Sequence, residues 1–273
     1  MKISFVCVNY NNHVITTNYA DNIMAMAGSD ERLDKIIIVD NASNQEDYQA
    51  LCRALEMNSR VKIIRSESNK GYFGGLNLGI EYMKAYCDSD VACVGNNDLI
   101  FERDFLENYF NEKYDEQIFT VIPDVVTIGG KHQNPQYRDR LSKMRILGYD
   151  IYYQNYFFAI LIETVMGLMK SRREKTTQDF KKSGEIFLCT GACMILQKRF
   201  FKVCGQLSEE VFMWGEEAIF TGQIHQHGGI LYYDPQLRVT HMENATVNKI
   251  SNYNKYKLVQ ASYKVYRKYI KGN

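Results

Sequence analysis

The sequence lacks a long apolar run, a strong net charge and any C-x-x-C pair. Its most apolar internal stretch, residues 156–169, contains Glu163 and is shorter than the roughly 20 residues that span a bilayer, so we expect no transmembrane helix. The net charge of +1 gives no general reason to expect a nucleic-acid partner. The seven cysteines are scattered, mostly within apolar runs, which is typical of reduced core thiols in a cytoplasmic protein and not of a disulfide framework.

Short apolar runs alternate with helical patterns in the first part of the chain. The chain turns polar at Asn9, too early for a signal peptide, so residues 3–8 are interpreted as a first β-strand. The alternation continues with short connections, which predicts an α/β fold with a mostly parallel central sheet flanked by helices. We predict strands at 3–8, 35–39, 61–65 and 91–94, and helices at 13–27, 45–57 and 76–87.

Polar side chains follow these predicted strands. In open α/β sheets ligands bind at the carboxyl edge, so we expect the polar side chains to converge there. Asp40 can accept a hydrogen bond from a nucleobase or ribose, or cap the next helix. A carboxylate flanked by two amides can hold a divalent metal or a nucleotide, although such a triplet is also a common turn sequence. The residues concerned are Asn9, Asp40, Asn69 and the triplet Asn96, Asn97 and Asp98.

A glycine-rich stretch, predicted as a loop over 66–75, precedes the third helix. Its glycines let the backbone approach a ligand closely, and amides at the helix start can meet a diphosphate. The stretch matches neither the P-loop nor the dinucleotide-binding fingerprint.

Four motifs together resemble the nucleotide-sugar half of family 2 glycosyltransferases of the GT-A fold. They are V-N-Y-N near the start, V-D-N-A-S at 39–43, N-K-G-Y-F-G-G-L-N-L-G at 69–79 and N-N-D at 96–98. Bacterial rhamnosyltransferases and other polysaccharide-building enzymes are the members that the sequence resembles. The resemblance implies a UDP-, dTDP- or GDP-sugar donor lying across the strand ends. It would bind Asn9, Asp40, Asn69, Gly71, Asn96, Asn97 and Asp98.

The same resemblance implies a divalent metal, Mn²⁺ or Mg²⁺. Asp98 stands at the last position of the family's D-x-D motif, and the two asparagines before it leave a weaker site than an all-Asp motif. The segment V-T-H at 239–241 matches a family segment that ends in histidine, so His241 is a second metal ligand by resemblance.

The segment F-M-W-G-E-E at 212–217 matches a family pattern of an aromatic residue, glycine and Glu-Asp. In the family, one carboxylate takes the proton of the acceptor hydroxyl in a single inverting displacement. Glu217 stands where the family has Asp, so the base is either Glu217 or Glu216; alternatively both only favour the helix dipole. Gly191, in a small-residue turn, is expected to border the acceptor, and Trp214 either stacks on an acceptor sugar or fills a core.

The resemblance divides the chain into a GT-A domain at 1–245 and a basic amphipathic helix at 246–273. Within the domain, 1–128 is the nucleotide-sugar half, 129–185 a variable helical insertion and 186–245 the acceptor and base half. The aromatic and basic insertion, which includes Arg172 and Arg173, either packs on its own domain or rests on a membrane. The terminal helix, with Lys249 and no acidic residue, either binds anionic lipid or packs on the domain.

The sequence therefore predicts an inverting, metal-dependent glycosyltransferase. By family likeness it would act on a lipid-linked saccharide in cell-surface polysaccharide synthesis, at the cytoplasmic membrane face. A nucleotidyltransferase is a rival, but it would need a glycine-rich loop with a basic residue where residues 9–12 stand. A nucleotide-sugar-binding assembly protein without turnover is the second rival, suggested by the N-N-D triplet and by Glu217.

Overall fold

The computed structural model describes residues 1–170, 179–243 and 252–271. The described strands are β1 Ile3–Asn9, β2 Leu33–Asp40, β3 Val61–Arg65, β4 Val91–Gly95, β5 Leu99–Phe101, β6 Ile118–Thr127, β7 Gly184–Ile186, β8 Cys193–Leu196 and β9 Ile230–His241. The α-helices are α1 His13–Ala27, α2 Gln45–Leu55, α3 Gly71–Tyr86, α4 Phe105–Asn111, α5 Lys143–Tyr152, α6 Tyr156–Lys170, α7 Lys198–Val203, α8 Glu216–Gln226 and α9 Asn252–Ile270.

One sheet runs through the described residues in the order β3-β2-β1-β4-β8-β6-β9-β5, with β7 paired to β9. The strands β3, β2, β1 and β4 pair in parallel, as do β6 and β9. Antiparallel pairing enters at β8, which lies between β4 and β6, and at β5 and β7 beside β9. The predicted α/β class is confirmed, with antiparallel strands added in the second half of the sheet.

The central strands are apolar on both faces because helices cover both. Phe5 and Ile36 pack into the core on the side of α1 and α4, whereas Val6 and Ile37 pack into the core beneath α3. Successive side chains of a strand point to opposite faces, so a continuous apolar run serves both cores.

The third helix begins at Gly71 and not near Leu76, so the prediction of a loop over 66–75 is wrong for its last part. Two of its glycines bring the helix close to the sheet. A Cβ on Gly75 would lie 2.8 Å from Val8 Cγ2, and one on Gly79 would lie 2.3 Å from Val6 Cγ1. These glycines therefore serve helix-to-strand packing, a contact that the sequence pattern does not distinguish from ligand approach.

The insertion and the terminal helix pack on each other and on the domain. Tyr153 stacks on Tyr263 with ring centroids 4.5 Å apart, and Asp150 pairs with Arg267. Both segments therefore pack on the domain, and the insertion also leaves apolar side chains such as Phe157 exposed. Arg172, Arg173, Lys249 and the boundary at 245/246 lie outside the described residues. Within the described ranges, no helix is long and apolar enough to cross a bilayer.

Candidate active site

A cavity of about 750 Å³, the main cavity, opens at the carboxyl ends of the parallel strands. Strand pairing places Asn9 beside Asp40 and Gly95 beside Cys7, so the chain leaves β1, β2 and β4 at one edge. The lining is mostly polar side chains from the loops after these strands, with β9 on the far side. It comprises Val8, Tyr10, Asn12, Asn41, Asn69, Gly71, Tyr72, Asn96, Asn97, Asp98, Gln133, Met213, Trp214, His241, Glu243 and Lys255.

Asn9 and Asp40 lie behind this lining, fully buried. The Asn9 amide nitrogen donates to Asp40 Oδ1 at 3.0 Å and to Asp47 Oδ2 at 2.9 Å. The Thr16 hydroxyl donates to Asn9 Oδ1 at 2.7 Å and accepts from the Asn97 amide at 2.7 Å. A buried carboxylate is costly without such partners, so this network fixes both strand ends and supports Asn97 from beneath.

Asn41, which the sequence analysis missed, shapes the turn that enters α3. Its amide nitrogen donates to Asn69 Oδ1 and to the Gly71 carbonyl, and its Oδ1 accepts from Lys70 N at 2.9 Å. Gly71 has a φ of +75°, and a Cβ there would lie 2.4 Å from the Phe212 carbonyl oxygen. Glycine is therefore required at the start of this helix, beside the cavity.

Asp98 and His241 meet because β5 pairs with β9 in a register that places Leu99 opposite His241. Asp98 Oδ1 lies 3.2 Å from His241 Nε2, and both side chains are nearly buried. His241 Nδ1 lies 2.8 Å from Gln133 Oε1, and with Nδ1 as the donor of this hydrogen bond the lone pair is on Nε2. The amide nitrogen of Asn96 lies 3.1 Å from Nε2, and a metal bound at Nε2 would take the place of this hydrogen bond.

These atoms suit a shared cation. Ligand atoms lie about 2.1 Å from a small divalent ion, so two neighbouring ligands lie about 3 Å apart. Two lone-pair-bearing atoms 3.2 Å apart, one carboxylate and one imidazole, meet that condition. No group of three or more His, Cys, Asp or Glu side chains forms a metal cage in the described part of the chain, so further ligands would have to come from substrate or water.

The glutamate pair opens α8 after a turn in the left-handed backbone region. Trp214 has a φ of 63° and Gly215 a φ of 98°. Helix α9 holds this turn: Ser262 Oγ donates to the Met213 carbonyl at 3.0 Å, and a Cβ on Gly215 would lie 2.2 Å from the Tyr266 ring. A non-glycine residue in this region is strained, and it persists where its surroundings determine the backbone, often at functional sites.

The two glutamates have different surroundings. Glu216 is buried, and burial first, then the charge of Glu217, raises its pKa to about 8. Glu217 is half-buried and lines a cavity of about 230 Å³, the base cavity, beside the main one. Its Oε1 accepts from Gly191 N at 3.4 Å, while the Gly191 carbonyl accepts from the Tyr72 hydroxyl at 2.7 Å. Of the pair, Glu217 borders the base cavity, whereas Glu216 is part of the lining of neither the main nor the base cavity.

The structure thus brings most of the predicted site residues together. Asn69, Gly71, Asn96, Asn97, Asp98, Trp214 and His241 line the main cavity. Gly191 is buried between Tyr72, which lines the main cavity, and Glu217 in the base cavity, and Asn9 and Asp40 form the layer below. Besides Asn41, the sequence analysis missed Tyr72, Gln133 and Lys255. Asn41 and Tyr72 belong to motifs already noted, whereas nothing in the pattern marks Gln133 or Lys255.

Comparison with known proteins identifies the class that this fold and site define. Residues 4–205 match the model of glycosyl transferase family 2, which is most of the chain, so the chain belongs to this family. The match ends before the Glu216–Glu217 pair. A hexosyltransferase of low-salt glycan biosynthesis, Agl10 of Haloferax volcanii, is 22% identical over 218 residues. That alignment covers 80% of this chain and 60% of the relative, so the chain matches less than two thirds of the relative's length.

Solved structures with the same fold include several glycosyltransferases. The mannosyltransferase PcManGT from Pyrobaculum calidifontis, in complex with GDP-Man and Mn²⁺, aligns with a TM-score of 0.61 and 14% identity over 100% of this chain and 65% of its own. TarS 1–349 of S. aureus with UDP-GlcNAc gives 0.59 and 12% over 92% and 62%. At these identities the likeness is one of fold, and it confirms the predicted GT-A architecture.

Burial of Glu216 predicts a pH-dependent stability. The folded chain keeps a proton on Glu216 between pH 4.5 and about 8, where the unfolded chain has lost it. The free energy of unfolding therefore falls as pH rises through that window. Glu216→Gln, which cannot ionise, should remove this decline, so its Tm relative to wild type should rise between about pH 5 and pH 8.

The control is Glu116→Gln, at an exposed glutamate, whose Tm should follow the wild-type profile. Parallel Tm profiles for wild type and Glu216→Gln would contradict a raised pKa of Glu216 in the folded chain.

Proposed function

We propose that the chain is the catalytic unit of a metal-dependent, inverting glycosyltransferase. It transfers one sugar from a nucleotide-diphosphate donor, with UDP, dTDP or GDP, to a hydroxyl of a saccharide acceptor. The observation that carries this proposal is the placement of the Asp98–His241 pair in the main cavity, with Glu217 in an adjacent cavity. The motif resemblance to rhamnosyltransferases makes a deoxyhexose one candidate donor sugar.

The donor would lie across the strand ends in the main cavity. Its wall offers amide and backbone groups from Asn41, Asn69 and Gly71 on one side and the asparagine pair Asn96–Asn97 on the other. Lys255 adds an ammonium group to the same wall, which suits a diphosphate. The buried Asn9–Asp40 layer would act by holding the loops that present these groups.

The metal would be held by Asp98 Oδ1 and His241 Nε2, with Mn²⁺ or Mg²⁺ as the candidates. Such an ion offsets charge on the leaving nucleoside diphosphate. Gln133 Oε1 would accept a hydrogen bond from the Nδ1–H group of His241, which keeps the lone pair on Nε2. The fold relative PcManGT was solved with GDP-Man and Mn²⁺, which supports the choice of metal.

Glu217 would be the general base. It borders a cavity, whereas Glu216 is buried and holds its proton up to about pH 8. A base must reach the hydroxyl that it deprotonates and be ionised at working pH, and only Glu217 combines access with the matching family position. Glu216 would then be structural, packed in the first turn of α8.

The acceptor would be a lipid-linked saccharide on the cytoplasmic face of the membrane, in cell-surface polysaccharide synthesis. The two α-helices of the insertion, α5 and α6, expose large apolar side chains, among them Met144, Leu147, Phe157 and Leu161 at 50 to 78% exposure. Lys143 and Arg145 are exposed beside them. A helical surface of this kind, apolar with a basic border, suits the interface of an anionic bilayer.

The metal assignment is tested by hydrolysis of UDP-, dTDP- and GDP-sugars without acceptor. We expect release of one nucleotide class with Mn²⁺ or Mg²⁺ and none with EDTA. Asp98→Asn should lower the rate by about 100-fold or more, because the metal supplies several kcal/mol of charge stabilisation. The matched control is Asp90→Asn, whose carboxylate only pairs with Lys198 on the surface. Release that EDTA does not change would refute the metal role.

The base assignment is tested by comparing Glu217→Gln with Glu216→Gln at fixed donor and acceptor. General base catalysis contributes about 10² to 10⁴-fold, so Glu217→Gln should lose that much kcat and keep donor binding. Glu216→Gln should lose less than about tenfold. A larger loss in Glu216→Gln would reverse the assignment, and nucleotide binding without turnover in the wild type would favour an assembly protein.

The membrane surface is tested by co-sedimentation with vesicles of anionic phosphatidylglycerol and of neutral phosphatidylcholine. The wild type should pellet with the anionic vesicles, less so at high salt, and Phe157→Glu should reduce pelleting several-fold. Met57→Glu changes an exposed methionine after α2 and should have no effect. If the wild type pellets with neither kind of vesicle, the proposal that this surface binds a membrane is wrong.

A further inference from the structure

A third cavity, of about 410 Å³, lies between the insertion and α9. We call it the tyrosine cavity, because most of its wall is tyrosine side chains. The wall comprises Tyr152, Tyr153, Tyr156, Glu163, Lys255, Tyr256 and Val259. Its volume is within the range of about 300 to 1,000 Å³ that is usual for small-ligand sites.

The tyrosine cavity adjoins both parts of the candidate active site. It shares Lys255 with the main cavity, where that ammonium group lies 5.9 Å from the centre of the Trp214 ring. It shares Tyr153 with the base cavity, where Glu217 lies. A chain-like acceptor that reaches Glu217 would therefore have the tyrosine cavity next to it, with Lys255 as a second point of contact with the main cavity.

The tyrosine rings are held in place before any ligand arrives. Tyr153 stacks on Tyr256 at 6.2 Å, and Tyr156 contacts the same ring at 5.1 Å. The Tyr256 hydroxyl donates to the Tyr152 carbonyl at 3.1 Å, and the Tyr152 hydroxyl donates to Glu163. These contacts also join α9 to the insertion.

The wall chemistry suits a sugar residue. A pyranose presents C–H groups on its faces and hydroxyls around its edge. Tyrosine offers an apolar ring with a polar tip, which matches both features. Glu163 can accept hydrogen bonds from ring hydroxyls and Lys255 can donate them, so the two charged side chains of the wall complement the edge of the sugar.

We infer that the tyrosine cavity is a second acceptor subsite, which binds the sugar next to the one that receives the transferred residue. This inference rests on the proposed function. It makes the acceptor an oligosaccharide of at least two residues, with the terminal sugar at Glu217 and its neighbour among the tyrosines. It also gives α9, which lies beyond the stretch matched by the family model, a part in choosing the acceptor.

The test measures binding of the labelled full chain to an array of oligosaccharides and of their terminal monosaccharides. The wild type should retain at least one oligosaccharide about fivefold or more better than its terminal monosaccharide. Val259→Trp, which fills the cavity, should reduce that ratio to near one. Leu258→Trp places the same side chain at an exposed position of the same helix and should leave the ratio unchanged.

Glu163→Gln, an exposed change that does not threaten folding, should lower the ratio at least twofold. A wild type without oligosaccharide preference, or a Val259→Trp protein that keeps it, overturns the inference. Thermal shifts with UDP, dTDP and GDP run in parallel on each protein. A nucleotide shift that persists in Val259→Trp separates loss of the subsite from loss of the donor site, whereas no shift in the wild type would count against the proposed function itself.

Discussion

The pairing of β5 with β9 is the contact on which the candidate site depends. β5 is only three residues long, yet its register places Leu99 opposite His241. Asp98, one residue earlier, therefore lies beside the imidazole, and the loop carrying Asn96 and Asn97 closes over the strand ends. Because β-sheet register is fixed by the buried face, Leu99 and Phe101 in the core determine where the carboxylate lies.

Beneath the cavity, a buried network of hydrogen bonds holds the strand ends in place, whereas apolar packing holds the rest of the sheet. Hydrogen bonds of 2.7 to 3.0 Å link Asp40 to Asn9, Asn9 to Thr16, and Thr16 to Asn97. Such a network favours one arrangement of its side chains, because a buried polar group that loses its hydrogen-bond partner carries the full free-energy cost of desolvation. The network ties the first two strand ends to the triplet after the fourth, so the polar edge behaves as one unit.

A second unit is formed by the turn before α8 and by α9. The strained backbone at Trp214 and Gly215 is held by Ser262 and Tyr266, so a helix near the chain end fixes the residues that begin the glutamate pair. Lys255 of the same helix reaches the main cavity and the tyrosine cavity. The main cavity, the turn before the glutamate pair and the insertion therefore meet around one helix, which lies outside the stretch matched by the family model.

The sequence by itself determined the α/β class, the parallel strands and the polar residues at their ends, because strand and helix periodicity and ligand edges follow from local pattern. It also marked Asp98, Glu217 and His241 by motif. Only the tertiary structure decided that Asn9 and Asp40 lie below the cavity, that α3 begins at Gly71, and that Glu216 is buried while Glu217 is accessible. These outcomes depend on contacts between residues far apart in the chain, such as Gly79 with Val6 and Gly215 with Tyr266, which no local pattern encodes.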